Sequence, residues 1–183
     1  MKRPNILLIT TDQQRYDTIC AMGYDFMETP NLDLLAAEGC CYPNAFSSNP
    51  VCMAARHQII TGLTARYHGF DDNYFESDPK MIPYDLPTLP QLLSDAGYDT
   101  IAIGKMHFQP CRRHNGFTKM ELMEEIPRYL EDDEYTKYLK ENGYGHLQSP
   151  HGVRHLLYML PQRSLIPEEH HGSTWVAKRS IYH

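Results

Sequence analysis

No aliphatic run in this chain of 183 residues approaches the length of a membrane-spanning helix; Ile6-Leu7-Leu8-Ile9 stops at the size of a core strand. Basic blocks are missing as well. Lys and Arg number 17 against 23 Asp and Glu, a net charge of −6, which argues against a nucleic-acid partner. The five cysteines (Cys20, Cys40, Cys41, Cys52, Cys111) follow no regular spacing, which excludes a disulfide framework and a zinc ribbon. Cys40 and Cys41 are expected in a buried strand as small hydrophobes. Internal repeats and low-complexity tracts are absent, which excludes solenoids and linkers. No small-residue cleavage site follows Met1-Lys2-Arg3-Pro4, so the expectation is a cytoplasmic protein with no membrane segment. A periplasmic or secreted protein trimmed of its leader would look the same.

What is present reads as a soluble globular chain, 42% hydrophobic and 22% charged, long enough for one domain with a core or for a large piece of a bigger one. Residues 5–11 form a continuous β-branched and aliphatic run ending at Asp12, the pattern of a parallel strand buried on both faces. Thr29-Pro30 to Gly39 carries a cap candidate, Pro at the first helical position and a terminal Gly, and predicts a helix. A strand is expected around Cys40 to Phe46, then a polar loop and a helix opening at Cys52 and running to Ile60. Residues 86–97 predict another capped helix, feeding a second buried strand at 98–104. A solvent-facing helix is expected over Glu131 to Asn142, irregular chain over 145–165, and an amphipathic helix from Ser173, still uncapped where the chain stops. Alternating strands and helices imply an α/β sandwich, helices covering both faces of a mainly parallel sheet.

Ligands of open α/β sheets gather beyond the carboxyl ends of the strands. Asp12, Lys105-Met106-His107 and Cys52 are all expected at that edge. Asp12 at a strand end would give a hard cation a rigid carboxylate, or it caps a turn. Cys52 and Arg56 are four residues apart and share one helix face, beside N–H groups that favour an anion. The blander alternative is an inert buried cysteine beside an ion-paired arginine. Lys105 offers a point charge and His107 an imidazole that titrates near neutrality, or both are ordinary residues after a strand. Asn73 is either a turn asparagine or a substrate contact. His151, His155, His170 and His171 match no metal motif in an ordered element, so core or solvated roles are expected.

Cys52-Met53-Ala54-Ala55-Arg56, with Thr61-Gly62 behind it, resembles the formylglycine signature of type I sulfatases, Cys-x-Pro/Ala-x-Arg; Ala54 and Ala55 stand where Pro and Ser are commoner. Thr10-Thr11-Asp12-Gln13-Gln14-Arg15 resembles the opening metal motif of sulfatases and phosphonate monoester hydrolases, with Gln13 in place of a second aspartate. Gly104-Lys105-Met106-His107 resembles the Gly-Lys-x-His motif, and Asn73 matches a position where the family often sets an asparagine near the substrate anion. The resemblance runs from Pro4 to Tyr182 and keeps the family order.

This resemblance implies an alkaline-phosphatase-like α/β fold, with residues 1–183 as the N-terminal part of a sulfatase catalytic domain. It implies that a formylglycine-generating enzyme oxidises Cys52 to an aldehyde whose hydrate attacks the sulfur of a small-molecule or carbohydrate sulfate ester. It implies a divalent metal bound through Asp12 and residue 52, Ca2+ in sulfatases and Mn2+ or Zn2+ in the phosphodiesterase branch. Arg56 and Lys105 would stabilise the transferring group, Asn73 would sit near it, and His107 would release sulfate. The family's other metal ligands and a second lysine match no segment here, so the isolated chain is expected to have little activity. The alternatives are a phosphodiesterase or phosphonate monoester hydrolase on the same scaffold, and a non-catalytic protein in which Cys52 stays a thiol. Substrate identity and oligomeric state stay open.

Overall fold

The computed structural model describes residues 3–74, 80–127, 129–147, 149–153, 156 and 159–183. The chain divides into two compact units, Met1–Ser47 and Ser48–His183.

In the first unit, helix α1 (Pro30–Glu38) opens with Pro30 and closes at Gly39, whose N–H reaches the Leu35 carbonyl, as its sequence predicted. Thr29 and Asp33 fasten it to the short turn Cys20–Met22: Thr29 Oγ1 accepts from Cys20 N at 2.9 Å, and Asp33 Oδ1 accepts from Ala21 N at 2.8 Å. Two expectations fail here. Residues 5–11 form no strand, and Ile6 to Ile9 are exposed rather than buried on both faces. Residues 40–46 likewise form no strand, and Cys40 and Cys41 are exposed. A strand exists only by pairing, and among the described residues neither segment has a ladder partner. Asp12 therefore lies in an exposed bend instead of at a strand end.

The second unit is built on a two-stranded parallel sheet, β1 (Ile101–Gly104) and β2 (Lys119–Leu122), in the register Ala102↔Met120 and Gly104↔Leu122. Side chains alternate across it. Ala102, Met120 and Leu122 join a core with Met53, Ile60, Phe70, Ile82 and Phe108. Ile103 turns the other way, onto Tyr135, Leu139, Ile166 and Trp175. One face thus carries α2 (Cys52–Thr61), and the other carries α5 (Glu134–Glu141) and α6 (Gly172–Tyr182). Helices on both faces of a parallel sheet is the expected layering, in a sheet smaller than foreseen. Between these elements lie α3 (Ala65–His68) and α4 (Leu89–Asp95); the latter is the capped helix expected over 86–97, shorter than foreseen and capped by Thr88 Oγ1. Asp133 splits the helix expected over 131–142 by accepting the Thr136 N–H as the cap of α5. Among the described residues no helix is long and apolar enough to cross a membrane.

Candidate functional site

Cys52 is the first residue of α2, and Val51 before it is extended, so the chain turns into the helix at the cysteine. Thr61 and Gly62 end the same helix. Thr61 Oγ1 donates to the His57 carbonyl at 2.6 Å, and Gly62, at φ +69, donates its N–H to the Gln58 carbonyl. That left-handed cap is cheapest for glycine, which gives the Thr-Gly pair a structural reason. The floor of the helix is packed tightly. The His57 ring stacks on Phe70 with centroids 3.8 Å apart, and its Nδ1 donates to the Met53 carbonyl at 2.7 Å. Burial pulls the His57 pKa down to about 4, with His68, Arg113 and His107 adding to the fall. This imidazole is neutral at pH 7 and holds the helix in place without competing for an anion.

β1 ends at Gly104, whose φ of +101 swings the chain out of the strand; a Cβ there would also press on Val176 at 3.4 Å. Lys105 follows directly, and its Nζ lies 3.7 Å from Cys52 Sγ and 3.0 Å from Glu125 Oε2. Arg56, one turn into α2, donates through Nη1 to the Lys105 carbonyl. Asn73 joins them, for its Oδ1 accepts the Met53 N–H at 3.0 Å, in the first turn of α2. Cys52, Arg56, Asn73 and Lys105 are therefore gathered around the start of one helix. His107 lies two residues beyond Lys105, with φ +54 and its backbone N–H on Glu124. Asp12 belongs to the first unit.

Sequence reasoning missed Glu124, Glu125 and Asp133. The two glutamates stand just past the carboxyl end of β2, as Lys105 stands past β1, and the only available signal was an acidic pair after a strand too short to read. Burial raises the Glu124 pKa, while the backbone N–H groups of His107 and Met106 and the nearby Arg56 charge oppose the rise. His151, His170 and His171 take structural parts. Tyr138 Oη lies 2.7 Å from His170 Nδ1, His171 Nδ1 accepts from Ser173 N at the start of α6, and the His151 ring lies 5.7 Å from that of Tyr135. His155 lies outside the described residues. Cys111 is half-buried, and burial pushes its thiol up to about 12, so it stays protonated and inert. Among the described residues no group of three or more His, Cys, Asp or Glu is placed to hold a metal ion.

A cysteine at a helix start with a lysine ammonium against its sulfur is a constellation for handling an anion. The family model described as Sulfatase matches residues 4–164. The chain belongs to the sulfatase family. It is 41% identical over 120 residues to an arylsulfatase of Clostridium perfringens, covering 66% of this chain and 24% of that protein. It is 32% identical over 148 residues to an N-acetylglucosamine-6-O-sulfatase of Bacteroides thetaiotaomicron, covering 78% of this chain and 25% of that protein. This sulfatase chain thus spans about a quarter of the length of the curated relatives it matches. Its fold is similar to that of the phosphonate monoester hydrolase of Agrobacterium radiobacter, with a TM-score of 0.73 at 23% identity, covering 98% of this chain and 38% of that one. The likeness shows a shared α/β fold.

Proposed function

We propose that this chain carries the nucleophile-bearing part of a sulfuric ester hydrolase, with residue 52 as formylglycine. The observation that carries this reading is the approach of Lys105 Nζ to within 3.7 Å of Cys52 Sγ at the start of α2. Formylglycine, made from Cys52 by a maturing enzyme, would supply a hydrated aldehyde as nucleophile in place of the thiol. The residues around it do the rest. Lys105 meets one anionic oxygen of the ester as a point charge, and Glu125 holds its ammonium in place. Arg56 ties the Lys105 backbone to α2 and sets a guanidinium charge beside the transferring group. Asn73 occupies the Met53 N–H and keeps the first turn of the helix rigid. His107 takes up, at an imidazole nitrogen, the proton whose removal frees sulfate.

A divalent cation, Ca2+ by family resemblance, belongs to this reading, and the resemblance alone names Asp12 and residue 52 as its ligands. Two such groups do not make a complete cation site, and among the described residues no group of three or more His, Cys, Asp or Glu is placed to hold one. No step is therefore derived through the ion. The substrate class is a small-molecule or carbohydrate sulfate ester, in keeping with the sulfatases it resembles. A phosphodiester or phosphonate monoester is the second reading, favoured by Asp12-Gln13 in the opening motif; the structural likeness to a phosphonate monoester hydrolase supports the fold alone.

Mass spectrometry of the peptide spanning Cys52, from protein made in its own host, tests the proposal. Conversion of thiol to aldehyde is expected. An unmodified thiol would remove the nucleophile and leave a non-catalytic relative. Turnover of a sulfate monoester against a phosphodiester then separates the two hydrolase readings.

A further inference from the structure

Glu124 is a buried carboxylate that sequence reasoning did not assign. It follows β2 by two positions and is 6% exposed. Its Oε1 accepts the backbone N–H of Met106 and of His107, each at 2.9 Å, and its Oε2 accepts the His107 N–H again at 3.2 Å. The Glu124 N–H in turn donates to Asp133 Oδ2 at 2.7 Å, and Asp133 Oδ1 takes the Thr136 N–H at 2.7 Å and the Thr136 hydroxyl at 2.8 Å. Asp133 is 1% exposed. Two buried carboxylates therefore couple the start of α5, the end of β2 and the segment after β1.

Burying a carboxylate is costly unless its oxygens are filled, and those of Glu124 are filled by the backbone N–H groups of Met106 and His107. His107 needs such a hold. Its φ of +54 is a left-handed conformation that a residue with a Cβ rarely adopts, so the surrounding contacts must impose it. That conformation sets the direction of the His107 side chain, so a change in it would move the imidazole. Arg56, whose charge faces Glu124, donates to the Lys105 carbonyl and holds the same segment from the other side.

We propose that Glu124 is a positioning residue for His107, clamping the backbone of Met106 and His107 so that the imidazole is held in one orientation. This rests on the hydrolase reading above for its catalytic consequence, whereas the clamp itself does not. The test makes Glu124→Ala and Glu124→Gln in the whole enzyme and measures steady-state kinetics together with amide hydrogen exchange. Glu124→Ala is expected to lower kcat by about 10- to 100-fold while KM moves less than about threefold, the pattern of lost alignment. Exchange at the Met106 and His107 amides should quicken by about 10- to 100-fold, with the Ala102 and Ile103 amides unchanged. Glu124→Gln keeps an acceptor oxygen, so both effects should shrink to about threefold.

Unchanged exchange at 106 and 107 in either variant would overturn the clamp. Unchanged kcat per folded molecule, or loss of protection throughout β1 together with kcat, would reduce Glu124 to a structural staple and overturn its positioning role. If Glu124→Ala does not fold, Glu124→Gln decides by the same two readouts. If the parent enzyme turns over no sulfate ester, the hydrolase reading fails by itself, and exchange still decides the clamp.

Discussion

Replacing His57 with phenylalanine should remove much of the protein's sensitivity to mild acid. His57 is 1% exposed, stacked on Phe70 at 3.8 Å and edge-on to Phe108 at 5.6 Å. Burial brings its pKa from 6.5 to about 4. Between those values the unfolded chain binds a proton that the folded chain refuses, so this contribution to stability is complete above pH 6.5 and falls as the pH drops toward 4. At 1.36 kcal/mol per pKa unit the whole loss is about 3 kcal/mol, of which about 2 kcal/mol is expressed by pH 5. Phenylalanine keeps the stacked ring and has nothing to titrate, although it gives up the hydrogen bond to the Met53 carbonyl. Urea denaturation at pH 7 and pH 5 is the assay, reading free energies by linear extrapolation. The parent should lose about 2 kcal/mol more than His57→Phe across that interval. His68 and His151, whose pKa values burial also lowers, leave a residual dependence in both proteins. Equal losses in the two proteins would refute the reasoning, as would an imidazole of His57 that titrates near 6.5 by NMR.

Three further outcomes are expected. Cys52→Ala should abolish sulfate-ester turnover in the whole enzyme, and substantial retained activity would sink the formylglycine mechanism. Lys105→Ala should lower kcat/KM by about 100-fold, as removal of one preorganised charge at a reacting anion does, and a change under about threefold would show that the 3.7 Å approach to residue 52 is incidental. Glu121→Gln should destabilise the second unit by about 1–2 kcal/mol at neutral pH, because Glu121 is met by Arg179, Lys119 and His183. The figure stays small because the Arg179 and Lys119 side chains are 33% and 47% exposed. Arg179, first, and then His183 and Lys119 hold the Glu121 carboxyl well below the usual range. Its contribution is thus present above pH about 4.5 and fades as the pH falls further, so denaturation curves of parent and variant should converge in acid.

The family and the candidate site were legible because they are written in contiguous motifs. Cys52 to Arg56, Thr61-Gly62 and Gly104 to His107 each lie within a turn or two of chain, where residue identity sets local geometry. The helices were legible for the same reason: Pro30, Thr88 and Gly62 act on the turn in which they stand. The sheet was not. Residues 5–11 carry the composition of a buried strand and form none, whereas Lys119–Leu122 carries little strand signal and forms β2, because a ladder depends on a partner far away in sequence. Tertiary structure alone brought Lys105 to Cys52 across 53 residues and made Glu124, Glu125 and Asp133 part of the site. A carboxylate looks the same in sequence whether it faces water or two backbone N–H groups in a dry interior. The sequence by itself determined which groups could do the chemistry, and packing, which excludes water and sets distances, decided which of them meet.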